Sequence, residues 1–169
     1  MSIIPGAMLG LLGGGQLGRM FAMAAQSMGY RVTVLDPTND SPAGSVADRH
    51  LRADYLDSDA LRELGSTCAG VTTEFENVPA ESLRILAEHC VVSPPAGSVA
   101  IAQDRILEKQ FLVANGFAVA PFAVVRDSSE VLPQMHPELF PGILKVSRLG
   151  YDGKGQARIS NAAELDAAF

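Results

Sequence analysis

Cysteine is almost absent from this 169-residue chain: Cys68 and Cys90 are the only two, with neither redox nor zinc spacing. They read as two buried free thiols. Histidine is nearly as scarce. His50, His89 and His136 are scattered, without metal-ligand spacing or a nucleophile partner, so no catalytic role falls to them. No apolar run approaches the roughly 20 residues needed to cross a bilayer. The opening Met1-Ser2-Ile3-Ile4-Pro5 lacks the basic segment and small-residue cleavage site of a secretory signal, so a soluble, cytoplasmic protein is expected. An excess of basic charge is missing too. The net charge is -6 and the pI about 5.0, which argues against nucleic acid as a partner and leaves room only for a local basic pocket. There is no internal repeat and no low-complexity tract.

What is present suits a folded protein. Hydrophobic residues make up 47% and charged residues 19%, enough for a core in one domain, or in one domain and part of another. The apolar run Met8–Leu12 stops at Gly13-Gly14-Gly15, as a buried parallel strand would. Leu17, Met20, Phe21, Ala24 and Met28 then recur at helical spacing, with Gly29 placed as the stop. The β-branched run Arg31–Leu35 is a second strand, ended by Asp36-Pro37. Residues 40–53 read as a connecting loop, and Ser58 caps a helix through Leu64. Gly70–Thr73 is a strand, Pro79 opens a helix to about His89, and Val91-Val92 is a further short strand. This alternation predicts an open, mostly parallel sheet with helices on both faces.

Residues 93–98 look like a domain boundary. Beyond them the spacing predicts a helix from Asp104 to Asn115-Gly116, and a strand over Val119–Val125 with an edge-like Pro121. A short helix follows from Ser128-Ser129-Glu130, and Pro133, Pro137 and Pro141 mark irregular chain. Strands at Ile143–Val146 and Ala157–Ile159 flank a glycine loop, and Ser160 or Asn161 caps a last helix.

Gly13, Gly15 and Gly18 stand in the spacing of a dinucleotide fingerprint, between a strand and a helix, with Asp36 ending the next strand. The turn can hold a dinucleotide or simply let helix and strand pack closely. Gln16 and Arg19 beside it could instead meet a substrate phosphate or ring. Glu74, Glu76 and Asn77 end a predicted parallel strand, where ligands of open sheets collect. They could orient an amine or a ribose hydroxyl, or form a solvated strand end. Arg105 and Lys109 lie four apart beside Asp104 and Glu108, which an ordinary charged helix face also explains. The segment Gly150-Tyr151-Asp152-Gly153-Lys154-Gly155-Gln156 has three glycines in its first six positions, with Lys145 at the end of the strand before it. Such a loop bends tightly and turns its N–H groups toward an anion, as a lid for a nucleoside triphosphate would; a surface hairpin has the same composition.

Taken in this order, Gly13–Met20, Thr73–Pro79, Asp104-Arg105 with Lys109, and Lys145 before Gly150–Gln156 resemble the 5-(carboxyamino)imidazole ribonucleotide synthases. These are the ATPase subunits of phosphoribosylaminoimidazole carboxylase, in the ATP-grasp superfamily. The resemblance implies a Rossmann-like pre-ATP-grasp domain over residues 1–97 and the truncated start of an α+β ATP-grasp domain over 98–169. It implies that ATP and magnesium activate bicarbonate as carboxyphosphate, and that the amine of 5-aminoimidazole ribonucleotide captures the carboxyl group. By matching position, Arg105, Lys145 and Gly150, Tyr151, Asp152, Gly153, Lys154, Gly155 and Gln156 would contact ATP. Gly15, Gln16, Leu17 and Glu74 would meet the ribonucleotide, and Tyr151 and Asp152 would also serve catalysis. The resemblance places the magnesium ligands beyond Phe169 and none within this chain. It therefore implies a piece of a longer polypeptide, inactive alone, whose full-length form is a homodimer with small-molecule substrates and no membrane or nucleic-acid partner. Two other readings stand beside it. A nicotinamide-dependent oxidoreductase would explain Gly13–Gly18 and Asp36 but not the second glycine loop. A non-catalytic fragment would retain only the fold.

Overall fold

The computed structural model describes residues 2–127, 137–150 and 153–168, which divide into two compact units, Met1–Ala100 and Ile101–Phe169. In the first unit β1 (Met8–Leu12), β2 (Arg31–Leu35), β3 (Arg49–Leu51), β4 (Gly70–Thr73) and β5 (Val91–Val92) form one sheet. The strand order is β3-β2-β1-β4-β5 and every neighbouring pair is parallel. Side chains alternate across it. Leu11, Val32 and Val34 point to the face covered by Ala22 and Ala25 of α1 (Gln16–Ser27). Leu12, Leu35 and Val71 point to the other face, covered by Leu61 and Leu64 of α2 (Ser58–Thr67) and Leu83 and Leu86 of α3 (Ala80–Ala87). Val99 of α4 (Ala96–Ala102) joins that second cluster. Burying each such leucine stabilises the fold by about 1.5–3 kcal/mol relative to leaving it in water. The doubly covered parallel sheet agrees with the alternation of strand and helix patterns in the sequence.

The apolar series on α1 marks a helix but not its buried face: Leu17 is 64% exposed and Met20 66%, whereas Gly18, Ala22 and Ala25 pack inward. Small residues win because α1 lies close to β1. A Cβ at Gly18 would stand 3.0 Å from the Gly13 carbonyl oxygen and from Leu11. Within 40–53, read as a loop, Arg49–Leu51 is an edge strand beside β2. Three residues of mixed polarity, held by backbone bonds on one side, show no period. Asp57, not Ser58, caps α2, its carboxylate accepting from the Asp59 and Ala60 N–H groups at 3.0 and 2.9 Å.

The second unit begins with α5 (Arg105–Ala114), capped by Asp104, whose Oδ1 accepts from the Ile106 N–H at 2.9 Å. β6 (Gly142–Lys145) and β7 (Gln156–Ile159) pair antiparallel, with Lys145 opposite Gln156 beside the loop. α6 (Ala162–Ala168) follows, and Asn161 Oδ1 accepts from the Glu164 N–H at 3.1 Å as the expected cap. The strand expected over Val119–Val125 is absent. Pro121 has no N–H to give a ladder, and no described strand lies alongside. The expected helix start at Ser128–Glu130 lies outside the described residues. Among the described residues no helix is long and apolar enough to cross a membrane.

The chain reaches β2 on one side of β1 and later β4 on the other, so the strand order reverses at β1. The crevice beyond the C-terminal ends of β1 and β4 is therefore the switch point at which open α/β sheets bind ligands. Asp36, buried just past β2, ties the turn there. Its Oδ2 accepts from the Gly14 N–H and from the Tyr55 hydroxyl, both at 2.7 Å, and its Oδ1 from the Thr38 N–H at 2.8 Å. Burial pushes the Asp36 carboxyl up, but these hydrogen bonds together outweigh it and hold the pKa below its ordinary 3.8. Since the folded value is depressed, the stabilisation is present above pH 3.8 and is lost as pH falls through the folded value. Asp36→Asn should cost about 1–3 kcal/mol at neutral pH and make the acid-side decline of the thermal midpoint shallower. Melting followed by circular dichroism between neutral pH and strong acid checks this. An unchanged midpoint at pH 7 would mean that the three bonds add nothing to the fold.

Candidate functional site

Two clefts bring candidate site residues together, one in each unit. The first, of about 250 Å³, opens at the switch point and is lined by Gly14, Gly15, Asp36, Ser41, Tyr55 and Glu74, among others. Its floor is the turn between β1 and α1. The first N–H groups of any helix lack partners inside the helix and need acceptors from elsewhere. Here the protein supplies carboxylates. Glu74, one residue past β4, accepts from the Gly15 N–H through Oε1 at 2.6 Å and from the Gly18 N–H through Oε2. Asp36 takes the Gly14 N–H from the other side. The turn is thus gripped by residues following both strands that flank β1.

This arrangement decides what the glycine spacing means physically. In a dinucleotide site these N–H groups face a pyrophosphate. In this chain they face Asp36 and Glu74, and the described residues lining the cleft include no basic side chain. With these N–H groups already taken, the turn has none left for a pyrophosphate, while the two carboxylates suit hydroxyl or amine donors. Gln16 and Leu17 open α1 and are both exposed beside the turn, with Arg19 exposed one residue beyond the buried Gly18. Gly15, Gln16, Leu17 and Glu74 therefore stand together at one edge.

The second cleft, of about 190 Å³, is lined by Arg105, Lys145, Gly150, Gly153, Lys154 and Gln156, together with Val146 and Gly155. Arg105 is set there by its place at the start of α5, where its N–H donates to the Ser147 carbonyl at 2.9 Å. Lys145 is the last residue of β6, and the Val146 N–H donates to the Gly155 carbonyl at 2.9 Å, closing the hairpin. Gly155 has φ +66°, and a Cβ there would stand 2.6 Å from a Val146 methyl, so no other residue fits without a shift. Three cationic side chains around a glycine-lined concavity suit a polyphosphate. They do not suit a metal ion, and among the described residues no group of three or more His, Cys, Asp or Glu could hold one.

Of the residues assigned to nucleotide from the sequence, seven come together here: Arg105, Lys145, Gly150, Gly153, Lys154, Gly155 and Gln156. Tyr151 and Asp152 lie outside the described residues. Lys109 points elsewhere, its Nζ 5.8 Å from the centre of the Phe122 ring. Sequence reasoning passed over Tyr55 and Arg148. Tyr55 is an aromatic residue in an aperiodic connection and gave no signal. Arg148 Nη2 donates to Gln103 Oε1 at 3.3 Å, and its Nη1 lies 3.9 Å from Asp104, beside the glycine loop. Its only signal was a basic residue two positions before Gly150.

The chain matches known proteins over nearly all of its length. Residues 7–103 match the ribonucleotide synthetase preATP-grasp domain, and residues 110–169 match the ATP-grasp domain. An N5-carboxyaminoimidazole ribonucleotide synthase of Brucella melitensis is 45% identical over 166 residues, 98% of this chain and 46% of the relative. The structure of N5-carboxyaminoimidazole synthetase from Staphylococcus aureus complexed with ADP superposes with a TM-score of 0.89 at 40% identity, covering 99% of this chain and 45% of that one. The enzyme of Aspergillus clavatus, in complex with ADP and 5-aminoimidazole ribonucleotide, gives a TM-score of 0.80 at 29% identity, over 96% and 43% of the two chains. The chain thus spans a little under half the length of the relatives it matches. It belongs to the ribonucleotide synthetase preATP-grasp family, its sheet domain running on into ATP-grasp sequence as in the N5-carboxyaminoimidazole ribonucleotide synthases that it resembles.

Proposed function

We propose that this chain, within a polypeptide of the length of its relatives, converts 5-aminoimidazole ribonucleotide, bicarbonate and ATP to 5-(carboxyamino)imidazole ribonucleotide, ADP and phosphate, as a step of purine biosynthesis. The observation that carries the reading is the cationic, glycine-lined cleft of Arg105, Lys145 and Lys154. It stands in a chain that also holds an acidic cleft at a switch point. Support comes from the relatives: one is solved with ADP, and another with ADP and the aminoimidazole ribonucleotide.

In this reading a bicarbonate oxygen attacks the γ-phosphorus of ATP, the bond to the bridging oxygen breaks, and ADP leaves. Arg105, Lys145, Lys154 and the N–H groups of the Gly150–Gln156 loop offset the charge on the phosphoryl oxygens during transfer. The ribonucleotide amine then attacks the carboxyl carbon of carboxyphosphate, phosphate departs, and the amine loses a proton. Gly15, Gln16, Leu17 and Glu74 hold the ribonucleotide. Tyr151 and Asp152 join the two half-reactions, an assignment that rests on matching position alone. Magnesium is proposed on the family resemblance; among the described residues no group of three or more His, Cys, Asp or Glu could hold it. A cytoplasmic homodimer is proposed on the same ground.

The nicotinamide alternative is disfavoured by the filled N–H groups at Gly14, Gly15 and Gly18. Titrating this chain with NADH and with NADPH, following ligand fluorescence, should give no saturable signal in the micromolar range. Saturation by either would restore the oxidoreductase reading. For the ATP cleft, Lys145→Ala in the full-length enzyme should remove roughly 2–4 kcal/mol of transition-state stabilisation, the scale of a charge-assisted phosphate contact. Phosphate release dependent on bicarbonate and aminoimidazole ribonucleotide is the assay, and wild-type kinetics in the variant would remove Lys145 from the site.

A further inference from the structure

The two carboxylates that grip the glycine turn come from different strands, and one side chain touches both arms. Tyr55 lies between β3 and α2, outside every residue assigned to substrate or nucleotide. Its hydroxyl donates at 2.7 Å to Asp36 Oδ2, the oxygen that also takes the Gly14 N–H. Its ring meets Phe75 edge-on, with centroids 6.0 Å apart and planes at 61°. Phe75 directly follows Glu74, which takes the Gly15 and Gly18 N–H groups. Tyr55 is itself anchored, since its carbonyl accepts at 2.6 Å from the hydroxyl of Ser82, a fully buried residue of α3. Burial first, and then the hydrogen bond and charge of Asp36, push the phenol pKa up, so the group remains a donor.

We infer that Tyr55 is a positioning residue for the ribonucleotide half-site. It orients Asp36 through a hydrogen bond and Glu74 through the Phe75 ring, so that Gln16 and Leu17 are presented in one arrangement. The inference rests on the proposed function. A turn built of successive glycines has many backbone conformations of similar energy, and only external contacts select one. Here those contacts are carboxylates, which themselves rotate unless held. Removing the Tyr55 hydroxyl leaves Asp36 held by the Gly14 and Thr38 N–H groups alone, so that its carboxylate is less firmly fixed. Tyr55 belongs to the first compact unit, whereas Arg105, Lys145 and the second glycine loop belong to the other. The effect should therefore separate by substrate.

The test is Tyr55→Phe in the full-length enzyme, a change that keeps the ring against Phe75. The KM for aminoimidazole ribonucleotide should rise about tenfold, the scale of one lost hydrogen bond to a charged group, while the KM for ATP stays at the wild-type value. Asp36→Asn should give the same split, and the double variant should be no worse than the weaker single variant. Thermal melts accompany each measurement, and if Tyr55→Phe does not fold, Asp36→Asn carries the test. Wild-type KM values in the variants, a parallel rise in both KM values, or failure of both variants to fold would each overturn the positioning role. A wild-type enzyme without ribonucleotide-dependent phosphate release would overturn the underlying function along with it, an outcome distinct from active wild type with unaffected variants.

Discussion

The first unit depends on how the free N–H groups at the start of α1 are satisfied. A helix that begins directly after a buried parallel strand presents partly positive N–H groups to the crevice at the sheet edge. Many folds of this shape leave them for a ligand's phosphates. Here Asp36 and Glu74, arriving from the ends of the two strands beside β1, take the Gly14, Gly15 and Gly18 N–H groups. The interaction is charge-assisted and partly shielded from water, so it both stabilises the turn and sets its conformation. It also fixes the sign of the site. A crevice that would otherwise attract anions becomes acidic.

The second unit makes the opposite choice. Its hairpin returns through a glycine loop whose close approach to Val146 excludes side chains, and Arg105, Lys145 and Lys154 surround the space that is left. Each cleft thus carries the charge complement of one class of group. The acidic one suits a ligand rich in hydroxyl and amine donors, and the cationic one suits a phosphate chain.

Close packing at α1 follows from the same turn. Because Glu74 reaches the helix start, α1 lies near β1 and its inner face has room only for Gly18, Ala22 and Ala25. The larger apolar residues Leu17, Met20 and Met23 are left outside. Hydrophobic spacing by itself would have turned the helix the other way, and that orientation would carry Gly18 away from Glu74.

The sequence by itself determined the element types and most of their limits, because runs such as Arg31–Leu35 and the glycine at Gly29 act over a few residues and leave a local pattern. It also marked the second glycine loop and its lysines, which lie close together in the chain. It could not show the edge strand Arg49–Leu51, whose only signature is its pairing with β2, nor the absence of a ladder at residues 117–125, where strand-like residues have no described partner. Only the tertiary structure decided the meaning of the first glycine turn. Glu74 stands 59 positions from Gly15, and Asp36 22 positions from Gly14; no local pattern records which acceptor reaches an N–H group once the strands are side by side. Tyr55 was invisible for the same reason. Its partners, Asp36, Phe75 and Ser82, are brought to it by the parallel crossovers of the sheet, and a hydrogen bond between distant residues leaves no periodicity to read.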